Sequence, residues 1–232
     1  MSRRSLLLAG GGVTVSAAGL LGGVRPALAD PADREVPGTP AAAWARLYAG
    51  NRRFVVGRAR HPRQGPADLR RLATGQHPFC IGLTCADSRV PPELVFDQGL
   101  GDIFDNRVAG NIVDDLLLGS IEFAVGEFHS PLIVVLGHER CGAIVATVDA
   151  IRTGRDASGH IGEIVEGLRP VVEPLLDQPG DVVDNAVSAN VRAQVARLTG
   201  SSDIIAGRVA SGGLRVIGAR YDLDEGQVTV VD

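Results

Sequence analysis

Three residues of this 232-residue chain, Cys85, His138 and Cys141, are good ligands for a soft metal ion. His138 and Cys141 stand three apart in HERC, a spacing that lets an imidazole and a thiolate converge on one ion at a strand-to-helix turn. Cys85 opens the motif CADSR, directly after a short apolar run, where a sheet could carry it to the same place. Two thiolates and one imidazole make a good zinc set. Three protein ligands leave the fourth tetrahedral position open, the mark of a catalytic rather than a structural zinc. HxxC alone also fits a plainer picture, in which the cysteines are buried apolar fillers beside an incidental histidine. Ligand groups at two neighbouring strand ends argue against that picture. Asp87 and Arg89 lie two and four residues beyond Cys85. As a surface ion pair they would be worth little. Beside a zinc, the carboxylate could accept a hydrogen bond from hydroxide on the metal, or displace that hydroxide and close the site. A bidentate arginine would hold it in one of those roles.

The elements that must position these residues read as an α/β fold. A mostly parallel central sheet is flanked by helices and closed by a C-terminal β-hairpin. Helical spacing runs over 41–56 with Trp44, Leu47 and Phe54 towards one side, and Gly50 inside it weakens the helix by composition. Pro66 opens a shorter helix that Gly75 ends. Buried strands are expected over 79–84, 102–108 and 131–136, and helices over 114–128, 143–151, 160–176, 182–198 and 202–209. Strands over 214–221 and 227–231 are joined by DLDEG, a hairpin connection. In such sheets ligands bind beyond the carboxyl ends of the strands, where both CADSR and HERC fall.

The formal net charge is -4, every basic residue is arginine, and nothing in the charge points to nucleic acid. Three cysteines are an odd number, which disfavours a disulfide framework, and the absence of CxxC makes thiol redox chemistry remote. At the start, Arg3-Arg4 precedes a Gly- and Ala-rich apolar run and then Ala27-Leu28-Ala29. This reads as a twin-arginine signal peptide over 1–29. The run is too weakly apolar for a lasting membrane span, so contact with the membrane is transient, during export to the periplasm, cell wall or exterior. Residues 30–40 read as a flexible segment and 41–232 as one domain, with a helical arm over about 41–76.

CADSR followed by HERCG resembles the CxDSR…HxxC signature of β-class carbonic anhydrases. GNRRF, FDNRVAGN, SIEFAV, LIVVLGH and GARYDLDEGQV look like the same family, so the resemblance spans about 42–231. It implies reversible hydration of carbon dioxide to bicarbonate and a proton. Cys85, His138 and Cys141 would hold one Zn2+ per chain, and Asp87 and Arg89 would orient the hydroxide on it. Gln76, nine residues before Cys85, matches a glutamine that hydrogen-bonds substrate in the plant-like subtype. Phe104 matches an aromatic of the carbon dioxide pocket. Phe123 stands where some members carry tyrosine, and Ala109 where valine is common. Gly142 matters through its backbone. Two thiolates neutralise the formal charge of zinc, so activity is expected to rise into the alkaline range.

The resemblance also implies a homodimer or dimer of dimers, in which the helical arm wraps a partner and Gln76 and Phe104 serve the neighbouring zinc. His77 is the candidate proton shuttle, and Cys80 is read as core. The rival readings are a hydrolase of carbonyl sulfide or carbon disulfide on the same fold, and a non-catalytic zinc-binding protein.

Overall fold

The computed structural model describes residues 35–232, so the signal segment 1–29 and the first residues of the 30–40 segment lie outside the described residues. Five strands form one sheet in the order β2-β1-β3-β4-β5. They are β1 (Cys80–Thr84), β2 (Ile103–Arg107), β3 (Leu132–His138), β4 (Arg215–Tyr221) and β5 (Val228–Val230). The first four are parallel, and β5 returns antiparallel on β4. The helices are α1 (Pro40–Val55), α2 (Pro66–Leu72), α3 (Pro92–Val95), α4 (Asp115–Phe128), α5 (Gly142–Thr153), α6 (Ile161–Val172), α7 (Val182–Gly200) and α8 (Asp203–Ala210).

Central strands buried on both faces need apolar residues at every position, and β1 and β3 are buried throughout. The pleat then sorts them into two layers. Cys80, Leu132, Val134 and Leu136 pack with Ala43 and Leu47 of α1 and with Phe96. Ile81, Leu83, Ile133 and Val135 face α4, α7 and α8 through Ile121, Val125, Val191, Leu198 and Ile205. A third cluster joins Cys85 and Cys141 to Ile144 and Val148 of α5, Leu168 of α6, and Ala186 and Val187 of α7. Cys80 and Cys85 thus sit in different layers.

Several expectations need correcting. Gly50 is no weakness in α1: a Cβ there would stand 1.7 Å from the Phe96 carbonyl oxygen, so only glycine lets α1 seat on the end of α3. β3 runs on to His138 rather than stopping at Leu136, because Gly137 and His138 pair with Arg220 and Tyr221 of β4. The helix expected over 160–176 is α6 followed by a 3-10 turn, Glu173–Leu175, where Pro174 cannot supply an α-helical N–H. The short α3 and a 3-10 turn at Ala109–Asn111 were not anticipated.

Candidate metal centre and active site

Cys85 follows the last residue of β1, His138 ends β3, and Cys141 is the N-cap of α5. Because β1 and β3 are adjacent and in register, with Thr84 beside Leu136, their carboxyl ends deliver Cys85 and His138 to one point. The ligand atoms of Cys85, His138 and Cys141 all lie within 4.8 Å of one another, and all three residues are buried. The two sulfurs are 4.0 Å apart, and neither is in a disulfide.

The orientation of His138 is fixed by its backbone surroundings. Nδ1 lies 2.8 Å from the Glu139 carbonyl oxygen, which can only accept, so Nδ1 carries the proton and Nε2 keeps its lone pair. Nε2 is buried and has no hydrogen-bond partner among the described residues. A buried acceptor without a donor is costly, and here it faces two thiols. The three atoms therefore fit a soft divalent ion, and the other ring nitrogen already has the carbonyl partner that metal-bound histidines use.

The two thiols are set to share one proton. The Cys141 thiol hydrogen-bonds Cys85 and holds it well below the ordinary cysteine range, against the burial that would raise it. Cys141, sharing that proton in a buried place, is pushed up. Its sulfur faces the N–H groups of Ala143 and Ile144 at the start of α5, an environment that favours a thiolate once a cation displaces the shared proton.

Asp87 is clamped. Its Oδ1 accepts from the Arg89 backbone N–H and from Nε, both at 2.9 Å, and its Oδ2 accepts from Nη2 at 2.7 Å. The guanidinium keeps the carboxyl far below the usual carboxylate range. Oδ2 is also 3.8 Å from His138 Nε2, which aims one acceptor at the point between the three ligands.

The remaining expected site residues divide in two. Ala109 begins the turn that passes Cys85, and Gly142 begins α5 directly after Cys141. Gln76 and His77, by contrast, are exposed on the approach to β1, at the opposite end of that strand from Cys85. Phe104 pairs in register with Ile81, four residues short of Cys85, or about 13 Å along a strand. It forms an aromatic cluster with Phe128 and with Phe123, which is 58 % exposed on α4. The chain does not bring Gln76, Phe104 or Phe123 to its own ligand group.

A sequence model of the carbonic anhydrase family matches residues 80–228, which contain every ligand and both dyad residues. Carbonic anhydrase 2 of Mycobacterium tuberculosis is 44 % identical over 83 % of this chain and 93 % of that protein. Two solved β-carbonic anhydrases share the fold with TM-scores of 0.64. One of the tetrameric enzymes of Sordaria macrospora is 25 % identical, covering 82 % of this chain and 94 % of that one. The Coccomyxa enzyme, solved with acetazolamide, is 28 % identical, covering 80 % and 84 %.

The chain belongs to the β-carbonic anhydrase family.

Within this β-carbonic anhydrase the structure adds residues that spacing did not single out. Arg107, at the end of β2, donates Nε to the Cys85 carbonyl at 2.9 Å and Nη2 to the Asp87 carbonyl at 2.6 Å. One guanidinium thus fixes the backbone of both a ligand and the clamped carboxylate. Glu139, between the ligands of the second motif, accepts from Arg220 of β4 at 2.7 Å and from the Leu223 N–H at 3.2 Å. Arg140, at φ 48°, makes a bidentate pair with Asp224, both contacts at 2.8 Å. These bonds tie the ligand turn to the β4–β5 hairpin. Arg107 and Glu139 lie in FDNRVAGN and HERCG, so the motifs were the available signal. Their partners are backbone groups and distant strands, which no spacing reveals.

Proposed function

We propose that this chain interconverts carbon dioxide and bicarbonate at one zinc ion per chain, held by Cys85, His138 and Cys141. The observation that carries this reading is the buried Nε2 of His138, without a hydrogen-bond partner among the described residues, facing two free thiols, with a clamped carboxylate alongside. The ion, when bound, supplies the Lewis acidity that makes water a nucleophile near neutral pH. Asp87, ionised and saturated on one side by Arg89, can only accept a hydrogen bond, so it orients a reacting oxygen by its proton. Arg89 keeps that acceptor aimed at the reaction and away from the ligand position. Arg107 holds Cys85 and Asp87 in fixed relation.

The same reading makes the enzyme a homodimer or dimer of dimers, of the plant-like subtype. Gln76, Phe104 and Phe123 would complete the pocket of a neighbouring copy. What supports this is their distance from their own ligand group and the outward exposure of Phe123 and Leu116 on α4. The tetrameric Sordaria enzymes agree with it. Export through the twin-arginine route to the periplasm, cell wall or exterior belongs to the same proposal. It rests on Arg3-Arg4, the apolar run and Ala27-Leu28-Ala29. Among the described residues no helix is long and apolar enough to cross a membrane.

The substrate is tested by measuring turnover of carbon dioxide and of carbonyl sulfide side by side, in the zinc-loaded chain and in Asp87→Asn. Carbon dioxide hydration that is much the faster and collapses in D87N is expected. Carbonyl sulfide turning over faster would move the reading to the altered-substrate rival.

A further inference from the structure

Two polar side chains of α7 are buried in a helix whose inner face is otherwise apolar: Asn190 is 1 % exposed and Gln194 5 %. Neither belongs to the chemistry described above, and burying an amide stabilises nothing unless its hydrogen bonds are met. Their partners are specific. Asn190 Nδ2 donates to the Gly110 carbonyl at 2.8 Å. Gln194 Nε2 donates to Asn190 Oδ1 at 2.9 Å, and Gln194 Oε1 accepts from the Val113 N–H at 3.0 Å. One turn apart on the helix, the two amides form a ladder that grips both ends of the segment 110–113.

That segment is an irregular turn. Gly110 sits at φ 77° and Asn111 at φ 42°, both in the left-handed region. A Cβ on Gly110 would come within 3.1 Å of both Ala143 and Leu168, so the turn is pressed between α5 and α6. At its other end the turn is stitched to the Cys85 loop, through the Ala86 N–H to the Val108 carbonyl at 3.2 Å and the Val108 N–H to the Thr84 carbonyl at 3.1 Å.

We propose that Asn190 and Gln194 are positioning residues for the metal centre, acting through the 109–113 turn to hold the backbone on either side of Cys85 in place. The 84–86 backbone is bonded to Val108 on both sides of Cys85, so the ladder sets where that sulfur stands and how well it meets the ion. It also closes the turn over the site and sets the place of Ala109. The inference rests on the zinc reading above, since it concerns a thiolate that ligates.

The test uses the metal-loaded chain and its Co2+-substituted form, whose thiolate-to-metal charge-transfer band reports the donor strength of the sulfurs. Asn190→Leu keeps the volume and removes the donor. In N190L the Cys85 sulfur is displaced, so the band is expected to shift and lose intensity, and zinc to pass to a chelator about tenfold faster than from the unaltered chain. Leu198→Ala, on the same helix but in the layer facing α8, is the control for general loosening of α7 and should leave the band in place. If N190L does not fold, Gln194→Met removes both of that residue's bonds and reads the same two quantities. An unshifted band, or zinc release no faster than from L198A, overturns the proposal. An unaltered chain with no charge-transfer band would overturn the metal reading itself, and this inference with it.

Discussion

Arg89 holds Asp87 with three hydrogen bonds, and the proposed role of that carboxylate depends on them. Removing the guanidinium in Arg89→Leu leaves the ligand group intact but frees the carboxylate to turn towards the metal position. Zinc content should therefore hold while hydration falls about 10- to 100-fold, a split read by metal analysis and stopped flow on one sample. Asp105 offers a prediction about stability. Burial, reinforced by the nearby charge of Glu93, raises its carboxyl to about 6 in the folded chain. Between the unfolded value near 4 and that folded value, the native state binds the extra proton, so this group removes stability as pH rises. Asp105→Asn keeps the oxygen that accepts from Thr84 Oγ1 and has nothing to ionise. Its advantage over the parent should grow from about pH 4 to about pH 6, then level off on the order of 1–3 kcal/mol. Denaturant midpoints across that range check it, and an advantage that shrinks with pH would contradict the sign.

At the scale of elements, the close seat of α1 on α3 is the feature most sensitive to one atom. Gly50→Ala places a methyl inside the Phe96 carbonyl oxygen, so α1 must lift. A loss of about 2–3 kcal/mol is expected, visible as a lowered Tm, with the ligand group still able to take up metal. The same residue shows where sequence reasoning stops. Short apolar runs and helical patterns placed the strands and the longer helices within a few residues, because the burial of β1 and β3 is written into their side chains. Cys85, His138 and Cys141 were legible as a group because strand ends and a helix start are what the pattern locates. Gly50 read as a blemish because its reason is the backbone of a residue 46 positions away. The four residues of α3, which opens on Pro92 with Pro91 before it, are too few to show a period. Arg107 binds carbonyl oxygens, which every residue has, so no residue type marks its partners.

At the scale of the whole molecule, α4 presents Leu116 and Phe123 outward, 85 % and 58 % exposed, beside the Phe104 and Phe128 rings. A second copy covering this surface would bury it and receive the pocket residues that its own ligand group lacks. Phe123→Glu should then yield smaller species in sedimentation velocity, with hydration lost in proportion to the dissociated fraction. Fully active single chains would contradict the shared pocket. The central claim, hydration of carbon dioxide at a Cys85–His138–Cys141 zinc, is tested most directly by stopped-flow hydration. The chain should start at Asp30, with zinc measured on the same sample. The account predicts fast hydration with about one zinc per chain, both lost in Cys141→Ser. A full complement of zinc with no hydration at any pH would contradict it.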